Sequence, residues 1–203
     1  TFKVRADYLG SQFWSDDIGV ATDIAYGLTI PHTDITVTVS KTFTAPEPVE
    51  GAKVHLFSGS DSYLKVNQTT DANGQVVFSL PERDFKVRAD CMSVQQWSGV
   101  FNSTDVTVEI AMAEADVQVT GAGNPVADVK VSAFTENDRD LKLKMTTNAG
   151  GHAVFRLPAG TYKFRADYQA DKFWTLPQTL VAGQSHAIEL ATGGGSFKFT
   201  LVK

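Results

Sequence analysis

One six-residue motif occurs three times in this chain of 203 residues. Phe-Lys-Val-Arg-Ala-Asp stands at residues 2–7 and again at 85–90, and Tyr-Lys-Phe-Arg-Ala-Asp stands at 162–167. Repetition of this kind predicts an array of like modules, and it constrains the fold more than any other feature. Such arrays usually build length and surface, and seldom an active site. A tryptophan follows each arginine after nine residues, in the pairs Arg5/Trp14, Arg88/Trp97 and Arg165/Trp174.

The size of the module follows from aligning the chain with itself. Residues 48–97 align with residues 125–174 at a constant offset of 77 without a gap, and 21 of the 50 positions are identical. The segments that precede these blocks also recur, so the repeat is about 80 residues long. The predicted division is a partial C-terminal half of a repeat, two complete modules and the opening strand of a further repeat: residues 1–32, 33–112, 113–191 and 192–203.

The repeated motif alternates between apolar and charged side chains. Phe2, Val4 and Ala6 lie on one face and the charged residues between them on the other, which is the period of a half-buried β-strand. No apolar pattern of helical period extends over eleven residues, so helix should be scarce. Residues 71–74 and 148–151 (Asp-Ala-Asn-Gly and Asn-Ala-Gly-Gly) predict hairpin turns. Short strands separated by such turns predict tandem antiparallel β-sandwiches, each of about seven strands.

Composition and charge exclude several classes of protein. The net charge of -5 argues against a nucleic-acid partner, which would favour a basic face. No stretch approaches the roughly 18 apolar residues that a membrane span needs. Cys91 is the single cysteine, so no disulfide forms within the chain. It replaces Tyr8 and Tyr168 of the other copies, and we expect an inert, buried or half-buried thiol.

The two complete modules resemble a known group of β-sandwiches. The residues that carry the resemblance are the Pro-Val that opens each block, the Thr-Thr turn with its glycine, and the Leu-Pro before the charged motif (48–54, 69–81, 125–126, 146–158). They are similar to carboxypeptidase-regulatory-like and Cna-B-type modules, which share a transthyretin-like (prealbumin-like) sandwich. The resemblance implies tandem modules of a large prokaryotic surface protein. It implies a fold more specifically than a function.

Cna-B-type modules often carry an isopeptide bond between lysine and asparagine, promoted by a buried glutamate. Lys41 stands roughly where the family has its lysine. The glutamate position corresponds to Ala6, Ala89 and Ala166, which carry no carboxyl group to act as general acid and base. We therefore expect no such bond.

Two features of the repeated motif are open to more than one interpretation. The Lys, Arg and Asp of each copy form either a solvated strand face or a binding site, and the structural interpretation is favoured. The tryptophans Trp14, Trp97 and Trp174 are either core or inter-module anchors or a platform for stacking sugars. Anchoring is favoured, because an aromatic residue at a fixed place in every copy more often serves packing.

No other pattern indicates catalysis or a cofactor. The four histidines show no metal-ligand spacing, and no motif of a hydrolase, a P-loop or a calcium loop occurs. The sequence thus predicts no enzyme, no metal and no cofactor. Asn67 and Asn102 each begin an N-glycosylation triplet, both expected near loops.

These observations predict an extracellular, cell-surface structural protein. Its expected partners are neighbouring repeats of the same or an identical polypeptide, joined end to end with inter-chain strand addition as one mode. Such modules would form a stalk, a fibre or a surface filament. The alternative is an adhesin or accessory module that binds a cell-surface glycan or a peptide through loops at one end of a sandwich.

Overall fold

The computed structural model describes residues 1–19 and 25–193. The chain divides into two compact units, one comprising Thr1–Lys41 and Pro46–Ile110 and the other Thr42–Ala45 and Ala111–Lys203. Residues 1–32, predicted as part of a separate repeat, are grouped with the first unit. The predicted opening strand at 192–203 falls mostly outside the described residues.

The first unit is built from strands at the positions that alternation predicts. Charged residues alternate with buried ones in the repeated motif, so that Phe85, Val87 and Ala89 are at most 2% exposed. Its strands are β1 (Arg5–Tyr8), β2 (Ser11–Trp14), β3 (Thr33–Thr42), β4 (Pro46–Pro48), β5 (Lys53–Ser58), β6 (Tyr63–Thr69), β7 (Gln75–Leu80), β8 (Phe85–Cys91), β9 (Val94–Trp97) and the first residues of β10 (Val106–Gly121).

The second unit repeats this framework. It takes the remainder of β10, and the same alternation buries Tyr162, Phe164 and Ala166. Its further strands are β11 (Asn124–Pro125), β12 (Lys130–Thr135), β13 (Asp140–Thr146), β14 (His152–Pro158), β15 (Gly160–Tyr168), β16 (Asp171–Trp174), β17 (Gln178–Leu180) and β18 (Ser185–Ala191). The short β11 and β17 raise the number of strands above the seven expected. The described residues contain no helix, as the sequence predicts.

Two sheets face each other in the second unit. One places β10 between β14 and β18, and the other has the order β13-β12-β15-β16 with β17 beside β15. Apolar side chains from both sheets form one core. The rings of Phe155 on β14 and Phe164 on β15 lie 5.2 Å apart across it. The prediction of an all-β sandwich is therefore confirmed.

One pairing departs from the antiparallel arrangement that was predicted. β18 runs parallel to β10, with Glu114 opposite Ser185 and Thr120 opposite Ala191. The strand therefore enters the sheet from the same end as β10 and not by a hairpin. Alternation fixes which face of a strand is buried, but it does not fix the direction of its neighbour.

The first unit has the same two layers. β3 pairs antiparallel with β7 and also neighbours β10, while the facing sheet has the order β6-β5-β8-β9. The hairpin β1–β2 forms a two-stranded sheet of its own.

Glycine is required at the turns predicted between β6 and β7 and between β13 and β14. Gly74 has a φ of +72°, and a Cβ there would lie 2.5 Å from the Val39 carbonyl oxygen. Gly151 has a φ of +78°, and its Cβ would lie 2.7 Å from the Val119 carbonyl oxygen. Both turns thus combine a left-handed backbone with a close approach that only glycine permits.

Candidate functional site

The nine-residue interval between arginine and tryptophan is the register of a β-hairpin. Arg88 on β8 lies directly opposite Trp97 on β9, and Arg165 and Trp174 pair in the same way. The turn between β8 and β9 is two residues long, with positive φ at Met92 (48°) and Ser93 (66°). Two left-handed residues make the turn whose twist matches a tight hairpin. The constant interval was the signal for this hairpin in the sequence.

In the first unit this hairpin carries a cluster of charged and aromatic side chains on its outer face. We call Arg88, Asp90 and Trp97 the Arg–Asp–Trp cluster, and use the same name for the corresponding residues of the other copies. Arg88 donates from Nε and Nη2 to the two carboxylate oxygens of Asp90 at 2.7 and 2.8 Å. Its guanidinium lies 5.7 Å from the centre of the Trp97 ring, and Phe57 on β5 lies 4.6 Å from that ring. The cluster thus joins three neighbouring strands.

The second unit reproduces the cluster almost atom for atom. Nη2 of Arg165 donates to Asp167 at 3.1 Å, and Nε lies 2.8 Å from the other carboxylate oxygen without hydrogen-bond alignment. The guanidinium lies 5.5 Å from the centre of the Trp174 ring, whose own distance to Phe134 is 4.7 Å. The arginine–aspartate pair and the arginine–tryptophan contact therefore occur together at equivalent positions of the two units.

The N-terminal hairpin holds a simpler version. Nη2 of Arg5 donates to Asp7 at 3.1 Å, and its guanidinium lies 5.8 Å from the centre of the Trp14 ring. Here the aromatic ring is the most exposed of the three, at 57%, against 40% for Trp97 and 44% for Trp174. None of the tryptophans lies in a core, so core packing does not explain their recurrence. The inter-module role remains a prediction.

A histidine distinguishes the cluster of the first unit. Nε2 of His55 lies 3.4 Å from Asp90, and its Nδ1 lies 3.3 Å from the hydroxyl of Tyr63. Burial lowers the pKa of His55 below its ordinary value of 6.5, and the neighbouring Asp90 opposes that shift only in part. In the second unit the position is Ser132, which is fully buried and whose hydroxyl has no hydrogen-bond partner in the part of the chain that the structure describes.

A hydroxyl group follows every tryptophan and closes the hairpin. Ser98 Oγ accepts a hydrogen bond from the Val87 amide at 3.0 Å. Thr175 does the same for the Phe164 amide at 3.0 Å, and Ser15 for the amide of Val4 at 2.9 Å. The sequence reasoning missed these residues, although the constant Trp-Ser or Trp-Thr pair was visible.

The glycosylation triplets lie on exposed surface. Asn102 stands in the connection between β9 and β10, as expected, but Asn67 lies within β6 and not in a loop. Nδ2 of Asn67 donates to the Tyr63 hydroxyl at 3.2 Å. This places the first triplet beside the Arg–Asp–Trp cluster.

The remaining candidate residues have ordinary surroundings. Cys91 is half-buried, as predicted, and burial raises the pKa of its thiol. Nζ of Lys41 forms an ion pair with Glu47 at 3.2 Å. Ala89 and Ala166 are fully buried, so the inward positions predicted for them are confirmed.

Across residues 1–19 and 25–193, no three His, Cys, Asp or Glu side chains are grouped to hold a metal ion. In the same part of the chain no helix is long and apolar enough to cross a membrane. The Arg–Asp–Trp cluster recurs in all three copies of the motif.

Comparison with known proteins gave structural matches only. No protein family and no curated protein matches the sequence. A minor pilin of Streptococcus agalactiae matches with 15% identity over 83% of this chain and 100% of its own, at a TM-score of 0.47. A putative cell adhesion protein of Bacteroides ovatus has 8% identity over 87% and 97%, at 0.44. The shaft pilin of Lactobacillus rhamnosus GG has 10% identity over 81% and 99%, at 0.39.

At these sequence identities and TM-scores, the matched structures show what the chain is similar to and carry no argument about what it does. Its fold class is established by its own strands and core. The three structures named above are two pilins and a putative cell adhesion protein.

Proposed function

We propose that the protein is an extracellular structural repeat protein whose modules stand in a stalk, a fibre or a surface filament. The observation that carries this proposal is the apolar face of the β1–β2 hairpin. Phe2 is 66% exposed and Val4 is 49% exposed, whereas their counterparts Phe85 and Val87 are 2% and 0% exposed. The apolar side chains of the same sequence motif are therefore buried in a complete module and exposed in the hairpin.

The complete modules indicate what would cover that face. In the second unit the equivalent residues Tyr162 and Phe164 pack into a core shared with the sheet of β14, β10 and β18. A like sheet from another repeat, in the same or an identical polypeptide, would cover Phe2 and Val4. Burying each such side chain fully contributes about 1.5–3 kcal/mol. On this proposal residues 1–32 are half of a repeat, and residues 192–203 begin another.

An assembly experiment tests the proposal. Sedimentation velocity and electron microscopy of the purified protein should show concentration-dependent association into elongated particles. Replacing Phe2 and Val4 together with serine should abolish association. Val77→Ser is the matched control, because this residue is 48% exposed on a strand of the complete module. A strictly monomeric protein, or association that survives the double substitution, would contradict the proposal.

A second candidate function is favoured by the loops. The strands of the two modules agree, but the segment from Phe57 to Leu64 differs from that between Phe134 and Leu141. Since loops usually carry binding specificity, this favours an adhesin or accessory module for a glycan or a peptide. Exchanging these loops between the modules should move ligand binding with them. Binding that stays with the strands would contradict it.

The proposed role is non-enzymatic and lies outside the cell. We also propose Asn67 and Asn102 as acceptors for N-linked glycans, because both are exposed. Intact-mass analysis of native material should show heterogeneity that disappears when both are replaced by glutamine. Hydrolase activity that one substitution removes would refute the non-enzymatic role.

A further inference from the structure

A polar cavity opens in the first unit where the turn of the β1–β2 hairpin meets the loop between β5 and β6. Its volume is about 490 Å³, within the range of small-molecule sites. Hydroxyl groups and one pair of opposite charges dominate the lining, which includes Ser11, Ser58, Ser60, Ser62, Arg83 and Asp84. Most small-molecule sites are lined by apolar groups, so this lining suits a ligand rich in polar groups.

The serine loop is held in place by its own hydrogen bonds. Ser58 Oγ accepts from the Ser62 amide at 3.1 Å and lies 3.0 Å from Ser60 Oγ. Nζ of Lys86 holds the tip through Asp61 at 2.8 Å. The loop therefore presents its hydroxyl groups in a fixed arrangement, which lowers the entropic cost of binding.

Gly59 allows this loop to lie close to Asp84 at the edge of the cavity. The Gly59 amide donates to the Asp84 carbonyl oxygen at 2.8 Å. A Cβ at residue 59 would lie 2.7 Å from Cβ of Asp84, so a larger residue would push the loop away. Among the described residues, the Asp84 carboxylate makes only a long contact, 3.5 Å, with Nδ2 of Asn102. It is therefore available to accept hydrogen bonds from a ligand.

Arg83 connects the cavity to the hairpin. Its Nη2 donates to the Gln12 carbonyl oxygen at 3.3 Å, and its guanidinium lies 4.7 Å from the centre of the Phe13 ring. Its Nε is buried and has no hydrogen-bond partner among the described residues. A guanidinium carries five N–H donors, so one that donates to Gln12 still has donors to offer an acceptor in the cavity.

The second unit lacks these groups, although its strands are equivalent. At the offset of 77 residues, Arg83 and Asp84 correspond to Gly160 and Thr161. The serine loop corresponds to a segment with a glutamate, an asparagine and an arginine: Glu136, Asn137 and Arg139. The cavity is thus a specialisation of one module and not a consequence of the repeated fold.

We propose that this cavity binds a neutral saccharide unit of a glycan. Sugar hydroxyls both donate and accept, so one ring can donate to Asp84 while accepting from Arg83 and the serines. The single positive and single negative charge of the lining give no preference for an anion, and Asp84 repels phosphate or sulfate. The inference deepens the second candidate function and rests on it, while filament assembly is independent of it.

The test is binding of the whole 203-residue protein to a panel of labelled neutral, sulfated and uronic oligosaccharides, followed by titration calorimetry. We expect a neutral saccharide to bind, and Asp84→Asn to weaken it about tenfold or more, because hydrogen bonds to a charged group are lost. Ser60→Ala should weaken it by less. Neither residue holds the hairpin, so the cavity should persist. Thr161→Ala, at the equivalent position of the second unit, should leave binding unchanged.

Three outcomes would overturn the proposal. Absence of binding across the panel would remove both the cavity site and the glycan form of the second candidate function. Binding that Asp84→Asn and Ser60→Ala leave intact would keep an adhesin function but place it elsewhere, for example at the tryptophans. Binding confined to sulfated or uronic glycans would contradict the charge argument.

Discussion

The two modules share a framework of strands and differ on the surfaces that the framework presents. Inside each module, a buried threonine, Thr70 or Thr147, bridges the same two backbone groups. Its hydroxyl accepts a hydrogen bond from a backbone amide at 2.9 Å and donates one to a backbone carbonyl oxygen. On the surface, Arg83 and Asp84 at the cavity correspond to Gly160 and Thr161. The buried network is repeated because every copy needs it to fold, whereas the outer positions are free to differ and so to specialise.

The largest expected effect lies in the cores, where equivalent positions differ in size. Phe164 and Val87 are both fully buried. Phe164→Ala should lower the free energy of unfolding by about 3–5 kcal/mol. Val87→Ala removes two methyl groups and should cost about 2 kcal/mol. Urea unfolding followed by tryptophan fluorescence measures both values. Equal losses of unfolding free energy in the two variants would contradict the expectation that the larger side chain contributes more to its core.

The buried threonines should behave identically in the two modules. Thr70→Val and Thr147→Val keep the shape but leave a buried amide unpaired, at about 1–3 kcal/mol. The carbonyl oxygen to which the hydroxyl donates is buried beside Thr70 and partly buried beside Thr147. The exposed neighbours Thr69 and Thr146 provide matched controls. Their valine variants should change stability by less than about 0.5 kcal/mol. A large loss in only one module would break the equivalence of the frameworks.

The contact between arginine and tryptophan should scale with how well each copy covers the ring. Double-mutant cycles to alanine should give a coupling of about 0.5–1 kcal/mol for Arg88 with Trp97. Arg165 with Trp174 should match it. Arg5 with Trp14 should give less, because that ring is the most exposed. Urea midpoints of the single and double variants supply the cycle, and the largest coupling in the N-terminal hairpin would refute the ranking.

The smallest effect concerns pH and separates the two outer faces. Burial lowers the pKa of His55 in the folded state. The unfolded chain therefore takes up a proton near pH 6.5 before the folded chain does, and stability falls as the pH drops from 6.5 toward the folded pKa. Above pH 6.5 this contribution is fully present.

His55→Ser installs the residue of the second unit and should make the loss between pH 7.5 and 5.5 smaller. Urea midpoints at the two pH values, compared with those of the unchanged protein, measure the difference. His32→Ser is the control, because it removes a histidine whose side chain is exposed. An identical pH dependence in the His55 variant and the unchanged protein would contradict the attribution of this stability loss to His55.

The candidate site was predictable in part. The alternation around Arg88 and Arg165 placed both on the outer face, and the aspartates two residues later were correctly put on the same face. The position of the tryptophans was not predicted, because a ring of that size suits a core equally well. Whether a ring is buried depends on the residue that lies opposite it on the neighbouring strand of the hairpin. Alternation along a single sequence does not identify that residue.

Alternation and turn residues along the sequence predicted the main strands, the two glycine turns and the buried face of the repeated motif. These depend on local alternation and on backbone preferences, which a stretch of a few residues expresses directly. Tertiary packing sets three further features: β18 runs parallel to β10, His55 meets Asp90 and Tyr63, and Arg83 reaches Gln12 of the N-terminal hairpin. Each of these joins segments that are distant in the chain. The contact forms when sheets pack, and no periodicity along the sequence encodes which side chains then meet.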